Sequence, residues 1–385
     1  MKFRTLVLVA TCISINFAVA QNPITGADST FRPITTAVPF LTISPDARHA
    51  ALGDAGVATS ADANAAYWNP AKLVYIDKAY GGSVSYTPWL GKIINDMWIS
   101  QLSGFYKITR EQVVGFGFKY FDLGEIFFRD PNNNPLGDFN PRELALDLTY
   151  SRMLTEQLSV GLTGRYIHSN LTGSFSNGGT NDAQPGNSVA ADIGVYYTTP
   201  LKGAKTNTLT LAASISNIGA KLTYSDDDNK DFLPTNLRVG GAFTTELDPY
   251  NSFTFALDFN KLLVPSPNED RSIPDESMLG GMFGSFSDAP DGFSEEIKEI
   301  IINTGVEYWY KQVFAGRIGY FSESKQKGNR KYMTFGVGFR KDRFGLDIAY
   351  LVPTNGRENP LAETIRFTML FQIESLKAKE ETVTD

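Results

Sequence analysis

The chain has 385 residues, a formal charge of −7 and a single cysteine, Cys12. The acidic balance argues against nucleic acid as a partner. No apolar run of about eighteen residues follows the N-terminal region, which excludes a membrane-spanning helix there. Aromatic residues make up 12% of the chain, with 27 Phe and 17 Tyr. Such a content with a low mean hydropathy fits a β-barrel membrane protein, in which only alternate residues face lipid.

The first element is a secretory signal over residues 1–20. Lys2 and Arg4 precede a short apolar stretch that ends in Ala18-Val19-Ala20, a small-residue cleavage pattern. Removing it takes away two cations, so the charge goes from −7 to −9. It also takes away Cys12, leaving no thiol for a disulfide, a nucleophile or a metal. Residues 21–78 follow. They are rich in Ala and Gly and poor in the large apolar residues a separate core needs, as in "PDARHAALGDAGVATSADANAAYWNPAKL". Small residues allow close backbone packing, so this segment is expected inside a barrel as a hatch or plug. Pro39, Phe40 and Leu41 belong to it. Trp68, Asn69 and Pro70 form its corner, with Trp68 as the anchor and Pro70 ending the extended geometry.

Period-two segments then recur through residues 79–373. The spacing predicts strands over 79–87, 97–108, 112–122, 143–154, 157–168, 188–199, 207–217, 236–247, 251–261, 301–312, 314–322, 331–340, 343–352 and 364–373. In "QVVGFGFKYF", Val114, Phe116, Phe118 and Tyr120 share one face, and Gly115, Gly117 and Lys119 share the other. Elsewhere the polar face carries Asp147, Arg165, Asp192, Asp258 and Asp347, which suits a lumen and salt bridges that hold a plug. The gaps alternate between short turns and long loops, the largest at about 123–142, 169–187, 218–235 and 262–300. That parity is the rule for outer-membrane barrels. The fold class is therefore an all-β membrane protein: a 14-stranded antiparallel transmembrane β-barrel with an N-terminal hatch in the lumen, and a periplasmic tail over 374–385.

In the longest loop, Phe293, Ile297 and Ile300 stand at helical spacing, with Ser294, Glu295 and Glu296 as a helix start. A short helix is expected there. The loop "SDDDNKD" reads as a solvated turn rather than a calcium site, since it lacks the EF-hand Gly and Glu. Trp89, Leu90, Phe127, Phe128, Leu263 and Val264 sit at strand ends or in loops. They read either as an interfacial girdle, favoured for Trp89, or as a contact patch for partners or cargo. No phosphate loop, nucleotide fingerprint or metal motif is present. His49 and His168 are the two histidines. His168 and Ser169 are adjacent on a strand and so point to opposite faces, which disfavours catalysis.

The run "GDAGVATSADANAAYWNPAKL" resembles the hatch signature of the FadL-type outer-membrane superfamily. Together with "ITTAVPFLTISPDARHAALGDAGVATS" upstream, it resembles the PorV family of the type IX secretion system in Bacteroidetes. The resemblance implies a non-enzymatic protein without cofactors or metals, residing in outer-membrane lipid. It implies a SprA-like translocon as partner, cargo C-terminal signal domains as ligand, and delivery to a PorU-like sortase attachment complex. The alternative is a FadL-like transporter of hydrophobic small molecules, whose path Phe40 and Leu41 would line. The mostly polar inward face disfavours it.

Overall fold

In the computed structural model, the described residues are 31–91, 96–129, 132–171, 184–203, 206–224, 230–268, 272–355 and 364–373. The expected signal, the tail over 374–385 and the centres of the 169–187 and 225–231 loops lie outside them. The chain divides into a unit over Met1–Phe31 and a unit over Arg32–Asp385, and the second is described by itself.

Among the described residues, alternation of apolar and polar residues gives sixteen strands. They are β1 (Tyr80–Pro88), β2 (Trp98–Thr109), β3 (Gln112–Asp122), β4 (Ile126–Arg129), β5 (Pro135–Phe139), β6 (Arg142–Met153), β7 (Leu158–Asn170) and β8 (Gly186–Leu201). There follow β9 (Asn207–Gly219), β10 (Asn236–Asp248), β11 (Asn251–Leu262), β12 (Ile301–Tyr310), β13 (Phe314–Ser322), β14 (Lys331–Lys341), β15 (Phe344–Pro353) and β16 (Ile365–Ile373). Fourteen of them close into one antiparallel barrel in chain order, and β1 pairs with β16 to shut it. Each lies within two residues, at either end, of a segment expected from the sequence. The exceptions, β4 and β5, form a separate hairpin inside the loop between β3 and β6. The Pro, Asn and Gly of that loop read as turns and concealed its short strands.

The outward face is apolar. Leu148 is 72% exposed, Met369 64% and Val189 63%, and Phe116, Leu162, Leu257 and Phe367 are exposed beside them. The inward residues on the same strands, such as Thr149, Asp192, Asp258 and Thr368, are buried. A water-soluble sheet would hide its apolar face, so this arrangement requires lipid outside.

The chain before β1 bonds to the inward side of the wall. Residues 37–76 carry only short helical turns: α1 (Ala47–Ala50), α2 (Ala65–Trp68) and 3-10 turns at Pro39–Thr42 and Pro70–Tyr75. This segment reaches every stave of the barrel. Side chains of β1, β2 and β3 bond to it through Ser83, Lys107 and Lys119. Those of β6 to β10 bond through Ser151, Ser159, Tyr196, Ser214 and Arg238. Asp258 of β11, Asn303 of β12, Thr334 of β14 and Thr368 of β16 do the same. Ala349 of β15 packs on Ala47, Ala50 and Ala51, and Gly319 of β13 lies against the Gly53 backbone. Only a segment inside a closed barrel can touch all fourteen strands.

If lipid covers the outward face, Leu148→Arg near the middle of β6 should destabilise the barrel by about 2–4 kcal/mol. Urea unfolding in lipid vesicles measures it. A change within about 0.5 kcal/mol, the usual cost at a water-exposed site, would contradict the assignment.

Candidate functional site

The Trp-Asn-Pro corner fixes the lumenal segment to the wall. Asn69 is extended, at φ −160° and ψ 113°, as a residue before proline prefers. Its side chain caps the turn Pro70–Tyr75 by accepting from the Ala71 N–H at 2.9 Å. Its amide donates to the backbone of β8 at Val195 O, 3.0 Å away. Gly161 of β7 approaches the Pro70–Ala71 peptide so closely that a Cβ there would overlap the backbone. Trp68 is buried but anchors within the segment: its Nε1 donates to Asp46 Oδ2 at 2.7 Å. Wall contact comes from the Arg238 guanidinium of β10, stacked 5.5 Å from its ring.

Asp46 is the hub of the segment. It caps α1 by accepting from the His49 N–H at 2.9 Å, and it bonds the His49 ring at 2.8 Å. Burial alone would push its carboxyl up, but His49 and the bond from Trp68 hold it well below the usual range. His49 Nε2 meets Thr59 Oγ1 at 3.0 Å, and Lys72 Nζ donates to Thr59 Oγ1 and Gly56 O. Asp, His and Thr in line have the residue types of a relay. All three are fully buried, and none of the described cavities is lined by them, so they serve the interior. The spacing of Asp46, His49 and Thr59 gave no signal of this contact, because a one-turn helix and a loop bring them together.

A second network ties the segment to the wall. Arg48 grips both oxygens of Glu307 at 2.9 and 2.8 Å and reaches Asp62 at 3.0 Å. Arg317 bridges Glu307 to Asp347 at 2.7 and 2.8 Å, and Arg340 closes on Asp347 at 2.6 Å. Asp258 holds the Gly56 and Val57 amides at 2.6 and 2.8 Å. On the side of the long loops, Phe40 and Leu41 pack with Ile99, Phe121 and Ile167, while Pro39 is exposed. His168 bonds Asn187 on the outer face, and Ser169 bonds buried Glu143 inside. The two do not meet.

The long loop between β11 and β12 folds over this end. It carries α3 (Met278–Gly284), α4 (Phe293–Glu296) and a 3-10 turn at Ile297–Glu299. Its acidic side faces inward. Glu295 pairs with Arg32 and Lys327 at 2.7 and 2.6 Å, and Lys261 pairs with Glu296 and Glu299 at 3.0 and 2.5 Å. Its apolar side faces out: Phe293 is 78% exposed and Phe283 68%, with Leu279, Phe286 and Ile297 exposed as well. In the β4–β5 hairpin Phe127 is 66% exposed and Phe128 is half-buried, as is Leu90 after β1.

Three expected contact residues lie elsewhere. Leu263 and Val264 are 3% and 1% exposed, because the chain turns inward after β11 and Leu263 bonds back to Thr235. They present no surface. Trp89 faces the interior, edge-on to Phe121 and against the Phe40 cluster, instead of lying in the lipid girdle.

A family model described as type IX secretion system protein PorV matches residues 26–269. Among solved structures, the CymD monoaromatic hydrocarbon channel is similar at 11% identity and TM-score 0.51, over 86% of this chain and 98% of that one. A Pseudomonas aeruginosa FadL homologue is similar at 10% identity and TM-score 0.45, over 89% and 100%. The Pseudomonas putida toluene transporter TodX is similar at 12% identity and TM-score 0.47, over 85% and 96%. No curated protein sequence matches.

Removing Glu307 leaves Arg48 and Arg317 in the lumen without their shared carboxylate. Glu307→Ala should therefore cost about 3–5 kcal/mol, read as a fall in the thermal unfolding midpoint in detergent. An unchanged midpoint would show that the network does not hold the segment.

Proposed function

The chain belongs to the PorV family of type IX secretion system proteins, and from that premise we propose that it is a carrier for secreted cargo. It binds the C-terminal signal domain of cargo emerging from a SprA-like translocon and delivers it to a PorU-like attachment complex. Membership makes it an outer-membrane component of that system. The carrier role, and binding rather than catalysis as its work, are the reading put forward.

One observation carries it: the inverted helix of the β11–β12 loop. An amphipathic helix on a protein normally buries its apolar side. Here three buried cations, Arg32, Lys261 and Lys327, hold the acidic side down, and Phe293 and Ile297 are turned outward. Exposed aromatic side chains held on a rigid base are what a protein-binding surface needs. With Phe283 they form the capture face, and Phe127 of the β4–β5 hairpin is a further exposed ring. On this reading the lumenal segment is a plug, and cargo passes through the partner rather than through this barrel. The transporter reading has less support, since Arg48, Asp62, Asp258 and Glu307 cross the lumen with charge where a hydrophobic solute would need a continuous apolar path.

Phe283→Ser combined with Phe293→Ser removes two exposed rings and no buried contact. Cargo recovered with the purified protein should fall at least about tenfold, with barrel folding unchanged by circular dichroism. Undiminished cargo recovery with this double variant would count against capture by this loop.

A further inference from the structure

Between the lumenal segment and the wall, toward the long loops, lies a cavity of about 90 Å³. Its lining mixes apolar side chains with polar ones, and several of the polar groups are unmatched. Four side-chain atoms there are buried without any hydrogen-bond partner: Arg366 Nε, Ser44 Oγ, Asn260 Oδ1 and Asp54 Oδ1. Arg366, Ser44 and Asn260 are 2%, 3% and 8% exposed. Native interiors leave few such groups unpaired.

The charges are unmatched too. Arg366 reaches only a carbonyl, Ser44 O at 2.7 Å. Arg238, also lining the cavity, donates to Tyr67 O at 3.3 Å and lies over the rings of Tyr67 and Trp68. Among the described residues neither guanidinium has a carboxylate within ion-pair distance, whereas Arg48, Arg165 and Arg317 all do. A buried cation without a counter-charge is costly. Other lining groups offer acceptors: Asp54 spends its other oxygen on the Tyr332 hydroxyl at 2.7 Å, and Asn260 spends its amide nitrogen on Asn303 at 2.6 Å.

We propose that this cavity binds a small carboxylate that also carries a hydrogen-bond donor, the chemistry of a small amino or hydroxy acid. The carboxylate neutralises Arg366 and Arg238 and accepts from Ser44. The amino or hydroxyl group donates to Asp54 Oδ1 and Asn260 Oδ1. The volume equals roughly three waters, which limits the occupant to a few heavy atoms. Entry is from the long-loop side, where a second cavity of about 250 Å³ shares Thr42, Leu262 and Arg330 with the first. The site is separate from the apolar capture face and does not depend on it.

Trp68 and Trp89 line the cavity, so their fluorescence reports its occupancy. The full chain in detergent micelles is titrated with glycine, lactate and acetate. Glycine and lactate should give a saturable change, with acetate about tenfold weaker for want of a donor. Ser44→Ala and Arg366→Gln should weaken glycine by about tenfold or more, and Asp54→Asn should narrow the gap between glycine and acetate. Circular dichroism and thermal unfolding confirm that each variant is folded, and Ser44→Ala alone suffices if Arg366→Gln is not. No saturable response of the wild-type protein to any of the three would overturn the proposal. A response that Ser44→Ala leaves unaltered would do the same.

Discussion

Closing fourteen strands turns every second side chain into a lumen, and whatever fills that lumen must find partners for its own backbone groups. Residues 37–76 contain almost no regular structure that could satisfy those groups internally. The wall does it for them. Ser151 and Ser159 both donate to Ala71 O, Asp258 accepts from two successive amides, and Thr334 and Thr368 bind the backbone at Ala51 and Ala47. This is why the inward faces are Ser, Thr, Asp and Asn rather than an apolar lining, and why the segment is built from Ala and Gly. The barrel's polar interior is a mould for one particular loop.

The same constraint shapes the mouth. Lys261 stands at the end of β11, Lys327 lies between β13 and β14, and Arg32 leads into the lumenal segment. Together they take up the three glutamates of the β11–β12 loop. Electrostatic pairing in a sheltered place outweighs the usual tendency to bury Phe293 and Ile297. A loop with its acidic side paired and its apolar side outward results.

Most of the barrel was legible in the sequence because strand alternation and loop parity are local signals. "QVVGFGFKYF" states its two faces outright, and the short turns around Arg110 and Asp248 mark one end of the barrel. The segment before the first strand was legible as distinct through its composition, but its contacts were not. Nothing local reveals that Arg48 meets Glu307 across 259 positions, or that the Trp68 indole N–H bonds Asp46. Leu263, Val264 and Trp89 were misplaced for a related reason. Position at a strand end gives no direction for a chain that folds back into the mouth. The β4–β5 hairpin was hidden by turn residues at both its ends.

On the proposed reading the lumen stays closed while the protein works at its outer loops. Ser83 Oγ of β1 and Asn64 Oδ1 of the lumenal segment lie 2.7 Å apart, and Cys12 is the only cysteine in the chain. Asn64→Cys with Ser83→Cys places two thiols across this contact, and a bond between them, its formation verified by thiol titration, locks segment to wall. Cargo reaching the cell surface should be the same with this bond oxidised or reduced. Loss of secretion in the oxidised state, restored by reductant, would contradict the account and show that the lumen must open.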